Sequence, residues 1–432
     1  MRRLVDETLE KWRGHPRRKP LLVRGGRQVG KTHSLLALGR RSFGNTLHLD
    51  FERNPDLSRT FDKDLDPTRL IAALEVITGT RIRPGETLLF LDEIQACPRA
   101  IMSLRYFKEQ APELHVVAAG SLLEFALRDL SFPVGRIQFL EMFPMIFAEY
   151  LWAMGNSQAA EIVLSRPEII GEDVHAHLLE ELRRYLAVGG MPEAIHTLKT
   201  SGSLVDCGEV HREIIEGYRA DFSKYAPRAD KTCLRTVMAA TARSVGQQIK
   251  YARLAEGFSN ATIHRAFDLL HTARILRKIR STSPTGLPLA AHASEKVFKA
   301  LFLDVGLMQH VCGIKMDVAY ASTDLVDLHR GAVAEQFVGQ ELAVTQGGEL
   351  HYWSRPARGS SAEVDYLVST GTDVVPVEVK SGDTGRLRSL QMLLDAYPNC
   401  RRALVFSTAP PAPADERGLQ RLPLYFAYGA TR

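Results

Sequence analysis

A chain of 432 residues with 45% hydrophobic and 24% charged residues has the composition of an ordinary globular protein, long enough for two to four domains with sizeable cores. No apolar run nears the ~18–20 residues that cross a bilayer, and Asp6 and Glu7 follow the start too closely for a secretory signal, so the expectation is a cytoplasmic protein without a membrane partner. A net charge of +5 is compatible with nucleic acid without requiring it, and five scattered cysteines with no C-x-x-C pair argue against a disulfide framework or zinc ribbon.

Strand-like and helix-like segments alternate from about residue 20 to 145, the pattern of a parallel α/β sheet. The first strand, 21–23, runs into Gly25, Gly26, Arg27, Gln28, Val29, Gly30, Lys31 and Thr32, which spell G-x-x-x-x-G-K-[ST], and a helix follows. Strand, glycine loop and helix form the context in which this P-loop binds ATP, because backbone N–H groups and the helix N-terminus converge on phosphate. Lys31 is placed for the β- and γ-phosphates and the Thr32 hydroxyl for Mg²⁺. Lys11, Arg13, Arg17, Arg18, Lys19, Arg24 and Arg27 gather nearby, either as a solvated face around the phosphates or as a DNA-facing patch.

Further strands are expected at 46–50, 88–91, 115–119 and 136–140. The second of these ends in Asp92 and Glu93, a Walker B pattern in which Asp92 holds Mg²⁺ and Glu93 deprotonates the attacking water. The third ends at Gly120 and Ser121; Ser121 either senses the γ-phosphate or caps the next helix. Arg136 stands at the start of the fourth and is the candidate arginine finger, acting in its own subunit or in a neighbour within a homo-oligomer; the alternative is a surface arginine.

Residues 145–230 read as mostly helical. From 231 to 279, short helices and a turn lead to a hairpin, a winged-helix pattern, with His264, Arg265 and His271 on the recognition helix and Arg274, Arg277, Lys278 and Arg280 near the wing as phosphate contacts. The competing reading is a lid or protein contact, and Asp268 is unhelpful to phosphate binding. The remainder runs helix, strand block, helix, strand. It carries Glu335 on a helix, Asp365 on a strand, and Glu378 and Lys380 on one face of the strand across a hairpin. This set is similar to a PD-(D/E)XK nuclease site, in which Asp365 and Glu378 hold Mg²⁺, Glu335 assists and Lys380 activates water. Gln391 is an auxiliary candidate.

As a set, G-x-R-Q-V-G-K-T at 25–32, L-D-E-I-Q at 91–95, Gly120-Ser121, Gly135-Arg136 leading to Phe143-Pro144, and G-G-x-P-E at 189–193 resemble a family of prokaryotic AAA-class P-loop ATPases. These end in an uncharacterised domain related to PD-(D/E)XK nucleases. The resemblance covers essentially the whole chain, and the family's second Thr is replaced by His33. It implies an α/β AAA-type ATPase core at 1–145, a helical lid at 146–230, a winged-helix module at 231–290 and a restriction-endonuclease-like α/β domain at 291–432. Two functions stay open. One is an ATP hydrolase that acts on DNA, with a C-terminal Mg²⁺-dependent nuclease-like block. The other is a nucleotide-gated signalling or assembly switch whose C-terminal block is a non-catalytic interaction module.

Overall fold

The computed structural model describes the chain except for residues 128–134, 227–228, 322–330, 356–361, 381 and 383–386. It divides into two units, Arg2–Pro144, and Met145–Arg432 with Met1. Among the described residues no helix is long and apolar enough to cross a membrane.

The first unit is built on five parallel strands: β1 Leu21–Gly25, β2 Asn45–Asp50, β3 Thr87–Asp92, β4 His115–Gly120 and β5 Gln138–Met142, in the order β2-β3-β4-β1-β5. The central strands are continuous apolar runs because both faces of a parallel sheet are covered. On one face Leu22, Leu49, Leu89, Leu91, Leu104 and Phe107 share a single core. β5 starts two residues later than its expected position. It lies at the sheet edge, and Gln138 and Phe139 at its start are exposed, so burial does not fix its beginning. Parallel register brings Gly25, Asp92, Gly120 and Met142 to the same edge of the sheet.

The second unit begins with helices and ends in a mixed seven-stranded sheet. Its strands are β6 Leu276–Ser281, β7 Phe298–Phe302, β8 His351–Ser354, β9 Glu363–Thr370, β10 Asp373–Val379, β11 Ala403–Ser407 and β12 Leu419–Pro423, in the order β12-β11-β10-β9-β8-β6-β7. β6 and β7 form an antiparallel pair, as a wing would. That pair is not a free-standing hairpin, because β6 also bonds β8 through Arg280↔His351 and Ser281↔Tyr352. An unpaired strand edge exposes backbone donors and acceptors, and joining a larger sheet satisfies them. The boundary expected between 290 and 291 therefore falls between two strands of one sheet.

The helix Ala332–Thr345 is buried on nearly every side. Its polar residues serve backbone groups. The Gln336 amide accepts from Phe302 N and donates to Phe302 O, each at 2.9 Å, completing the hydrogen bonding of β7. Gln340 accepts from Val305 N and donates to the Tyr185 hydroxyl.

The G-G-x-P-E segment is a packing joint. Asp304 accepts hydrogen bonds from Gly190 N at 2.5 Å, Gly306 N at 2.9 Å and Leu307 N at 3.0 Å, while Gly190 O accepts from Met145 N at 2.7 Å. A Cβ on Gly190 would lie 2.1 Å from Met145 O, so the close approach needs glycine.

Candidate nucleotide site and the C-terminal acid cluster

The loop between β1 and the helix Lys31–Ser42 has the backbone of a phosphate cradle. Gly25, Gln28 and Gly30 have φ of 154°, 62° and 97°. A Cβ on Gly25 would stand 2.2 Å from Met142 O. Gly30 begins the helix without a side-chain cap, so the first-turn N–H groups are suited to an anion. Lys31 is buried, and its Nζ donates to Gly25 O at 3.1 Å and Gly26 O at 2.8 Å, at the mouth of the loop. Burial pushes its pKa down to about 8, against the pull of Glu93 and Asp92. Arg3, which the sequence reading passed over, clamps the loop: Nη1 donates to Val29 O at 2.9 Å and Nη2 to Phe143 O at 2.8 Å. Thr32 follows Lys31 on the first turn, half-buried, and His33 is exposed.

The tip of β3 faces this loop across β4. Asp92 is buried and both of its oxygens are engaged: Oδ1 accepts from Glu93 N at 3.0 Å, and Oδ2 lies 3.1 Å from His48 Nε2. Glu93 has φ 46° and ψ 44°, a left-handed conformation that costs a residue with a side chain about 1–2 kcal/mol. Its Oε2 accepts from Gln95 Nε2 at 2.6 Å. Burial raises its pKa, opposed by that hydrogen bond and by the Lys31 charge. Ser121 is buried directly after β4, and the short helix Leu123–Leu127 starts two residues later. These residues fit a nucleoside triphosphate: uncapped N–H groups open the helix after the loop, a cation stands at the loop's mouth, and a carboxylate pair lies opposite. Mg²⁺ would find Thr32 and Asp92 there.

Arg136 does not join them. It precedes β5 at the opposite edge of the sheet, about 20 Å of strand from Met142. Its Nε pairs with Glu109 Oε1 at 2.9 Å, and its side chain is half exposed. It does not reach the phosphate cradle of its own chain.

In the second unit, β9 and β10 form the expected hairpin around Gly371, which has φ 61°. The acids and Lys380 do converge, but with two residues absent from the sequence reading, Lys299 on β7 and Glu363 on β9. Lys299 Nζ lies 2.9 Å from Glu335 Oε1, 2.5 Å from Glu363 Oε1 and 3.4 Å from Asp365 Oδ1, and its side chain is 1% exposed. Asp365 Oδ2 accepts from Val379 N at 2.8 Å. Glu378 Oε1 accepts from Lys380 Nζ at 2.6 Å, and its Oε2 is buried with no hydrogen-bond partner. Burial raises the pKa of both Glu335 and Glu378. Mg²⁺ does not fit this arrangement, because an ammonium already stands among the carboxylates that would hold it. Among the described residues no group of three or more acids, histidines or cysteines is arranged to take a metal. Gln391 is exposed on the helix Arg388–Ala396.

The expected DNA-facing cations are largely engaged within the protein. Lys278 and Arg280 both pair with Glu295, at 3.6 and 3.0 Å, and Lys278 also stands over the Phe298 ring. Arg277 donates to Gly348 O, His271 Nδ1 contacts Leu276 O, and His264 pairs with Asp268 at 3.1 Å. Arg265 is exposed on the helix Asn260–Thr272, and Arg274 follows that helix with φ 59°.

With this geometry in place, comparison with known proteins adds a likeness. Residues 17–151 match the family described as an AAA domain, a stretch that takes in nearly all of the first unit. Residues 179–318 and 330–425 match two domains of unknown function (DUF8612 and DUF4143). No curated protein matches the chain. Solved structures with detectable likeness include PCH-2 of C. elegans (12% identity, 45% of this chain and 59% of that chain, TM-score 0.26). They also include AMPPCP-bound DnaA of Aquifex aeolicus (16%, 62% and 86%, TM-score 0.28) and Drosophila ORC bound to DNA (12%, 73% and 95%, TM-score 0.29). Likeness at these scores identifies neither the overall fold nor the function.

Sequence signals for the overlooked residues existed in part. Gln95 lies inside the L-D-E-I-Q segment, and Lys299 is the one charge in the apolar strand Phe298–Phe302. His48 and Arg3 carried no local signal, since their partners are 44 and 26 residues away.

Proposed function

We propose that the protein binds ATP with Mg²⁺ and hydrolyses it in its first unit. Lys31 binds the β- and γ-phosphates, Thr32 and Asp92 hold the ion, and Glu93 takes the proton of the attacking water. Bound Mg²⁺ supplies charge compensation at the phosphates. The observation that carries this reading is Glu93: a half-buried carboxylate with a raised pKa on a left-handed backbone, its Oε2 held by Gln95, opposite a phosphate cradle. Strain of this kind at a polar site supports a catalytic role. Gln95 is a positioning residue. Ser121, at the adjacent strand tip, is suited to sensing the γ-phosphate. Arg136 would act only on a neighbouring copy, in a homo-oligomer.

We propose DNA as the partner on which this hydrolysis acts, with exposed Arg265 as a first contact. The test is DNA binding by the full chain across 50–200 mM salt. Several phosphate contacts would give a linear loss of log affinity with log salt, whereas no binding at the low-salt end would remove DNA as the partner. A second reading, the nucleotide-gated switch with a non-catalytic C-terminal block, is favoured by Lys299 among the acids of the nuclease-like set. In that case wild-type protein with Mg²⁺ and ATP leaves plasmid and linear DNA uncut, and cleavage lost in Lys380→Ala would speak against it.

A further inference from the structure

Lys299 is out of place by ordinary rules, because a lysine is almost never fully buried unless it is paired. It occupies the second position of β7, whose other residues are Phe298, Ala300, Leu301 and Phe302, all buried. Burial works against its charge, yet Glu335, Asp365 and Glu363 hold its pKa well above the usual lysine value. Most oxygens of the three carboxylates around it are engaged. Glu363 gives Oε1 to Lys299 and Oε2 to Gln248 Nε2 at 3.3 Å. Asp365 gives Oδ1 to Lys299 and Oδ2 to Val379 N. Glu335 gives Oε1 to Lys299, and its Oε2 lies against Gly246, where a Cβ would stand 2.7 Å away.

Gly246 and Gln248 belong to the loop after the helix Lys231–Arg243. Ile249 N of the same loop donates to Phe298 O at 2.8 Å, which pins the loop along β7 beside Lys299. The cluster is therefore plugged from within by an ammonium and covered by a backbone clip.

We infer that Lys299 is the resident cation of this acid cluster, in the place a divalent metal would take, and that the cluster joins the 231–249 segment to the C-terminal sheet rather than loading a metal. An ammonium neutralises one charge without coordination demands, and it is covalently tethered, so it is not exchanged by chelation. Removing it would leave three half-buried carboxylates without their shared cation, which is destabilising. A divalent ion would relieve that repulsion.

The inference is independent of the ATPase reading, and its test silences the nucleotide site. Full-length protein carrying Lys31→Ala and Asp92→Asn is titrated with Mn²⁺ and followed by electron paramagnetic resonance, with and without Asp365→Asn. The expected result is no site in either protein up to millimolar Mn²⁺. A site that is present with Asp365 and lost in Asp365→Asn would overturn the inference. In the same background Lys299→Met is expected to melt at lower temperature, to gain one Mn²⁺ site, and to recover part of its melting temperature when Mn²⁺ is added. Adding Glu335→Gln should abolish that site. A folded Lys299→Met protein that gains no site would also overturn the inference, and if Lys299→Met does not fold, the Asp365 comparison decides.

Discussion

His48 Nε2 lies 3.1 Å from Asp92 Oδ2, reaching across from β2 to the tip of β3 while its ring stacks on Phe90 at 4.7 Å. The other carboxylate oxygen is held by Glu93 N. Asp92, the proposed Mg²⁺ ligand, is thus oriented by an imidazole and its own backbone. Partners that orient a metal-binding carboxylate commonly matter by 10–100-fold in metal affinity. His48→Phe keeps the stack and loses the nitrogen. It should raise the Mg²⁺ concentration for half-maximal ATP hydrolysis by about tenfold. An unchanged Mg²⁺ titration would leave His48 with a packing role only.

Gly25→Ala tests the cradle. The added methyl would press on the Met142 carbonyl at 2.2 Å, and backbone cannot give way as a flexible side chain can. The expected outcome is a lower melting temperature and ATP binding weakened at least tenfold, read by calorimetry. Wild-type affinity would mean that β1 and β5 separate more easily than their pairing suggests.

Asp304→Ala tests the joint at Gly190. The substitution leaves three buried N–H groups without their acceptor. Each such loss costs on the order of 1 kcal/mol or more, so a destabilisation of roughly 3 kcal/mol is expected in denaturant unfolding. A change under ~0.5 kcal/mol would mean that water replaces the carboxylate.

Glu341 supplies a pH dependence. It is fully buried, accepts from Phe147 N at 2.9 Å, and burial raises its pKa from 4.5 to about 8. Between these values the folded chain keeps a proton that the unfolded chain releases, so this group lowers stability as pH rises from about 4.5 to about 8. Glu341→Gln stays neutral and keeps an acceptor. Its stability relative to wild type should grow across that window, to roughly 3–5 kcal/mol at pH 8, and then level off. Parallel stability–pH curves for the two proteins would contradict this sign.

The first unit was largely legible in the sequence because its chemistry is local. The P-loop is eight consecutive residues, Asp92 and Glu93 are adjacent, and buried parallel strands are unbroken apolar runs. Arg136 was harder to place, since only strand register reveals that it stands at the far edge from Lys31. The second unit was less legible for the same reason. β6 pairs β8 across 71 residues at Arg280↔His351, and Lys299 meets Glu335, Glu363 and Asp365 only because three elements converge. A lysine inside an apolar strand signals a buried partner, but not which one. Gln336 and Gln340 looked like ordinary helix residues; their service to β7 and Val305 depends on the helix being buried on both sides.

Glu93 is the group on which hydrolysis depends in the proposed site. In steady-state ATP hydrolysis with Mg²⁺, Glu93→Gln should lower turnover by about 10²–10⁴-fold while ATP affinity stays within a few-fold of wild type, and Lys31→Ala should lose binding itself. A Glu93→Gln protein that hydrolyses ATP at the wild-type rate would contradict the proposed site.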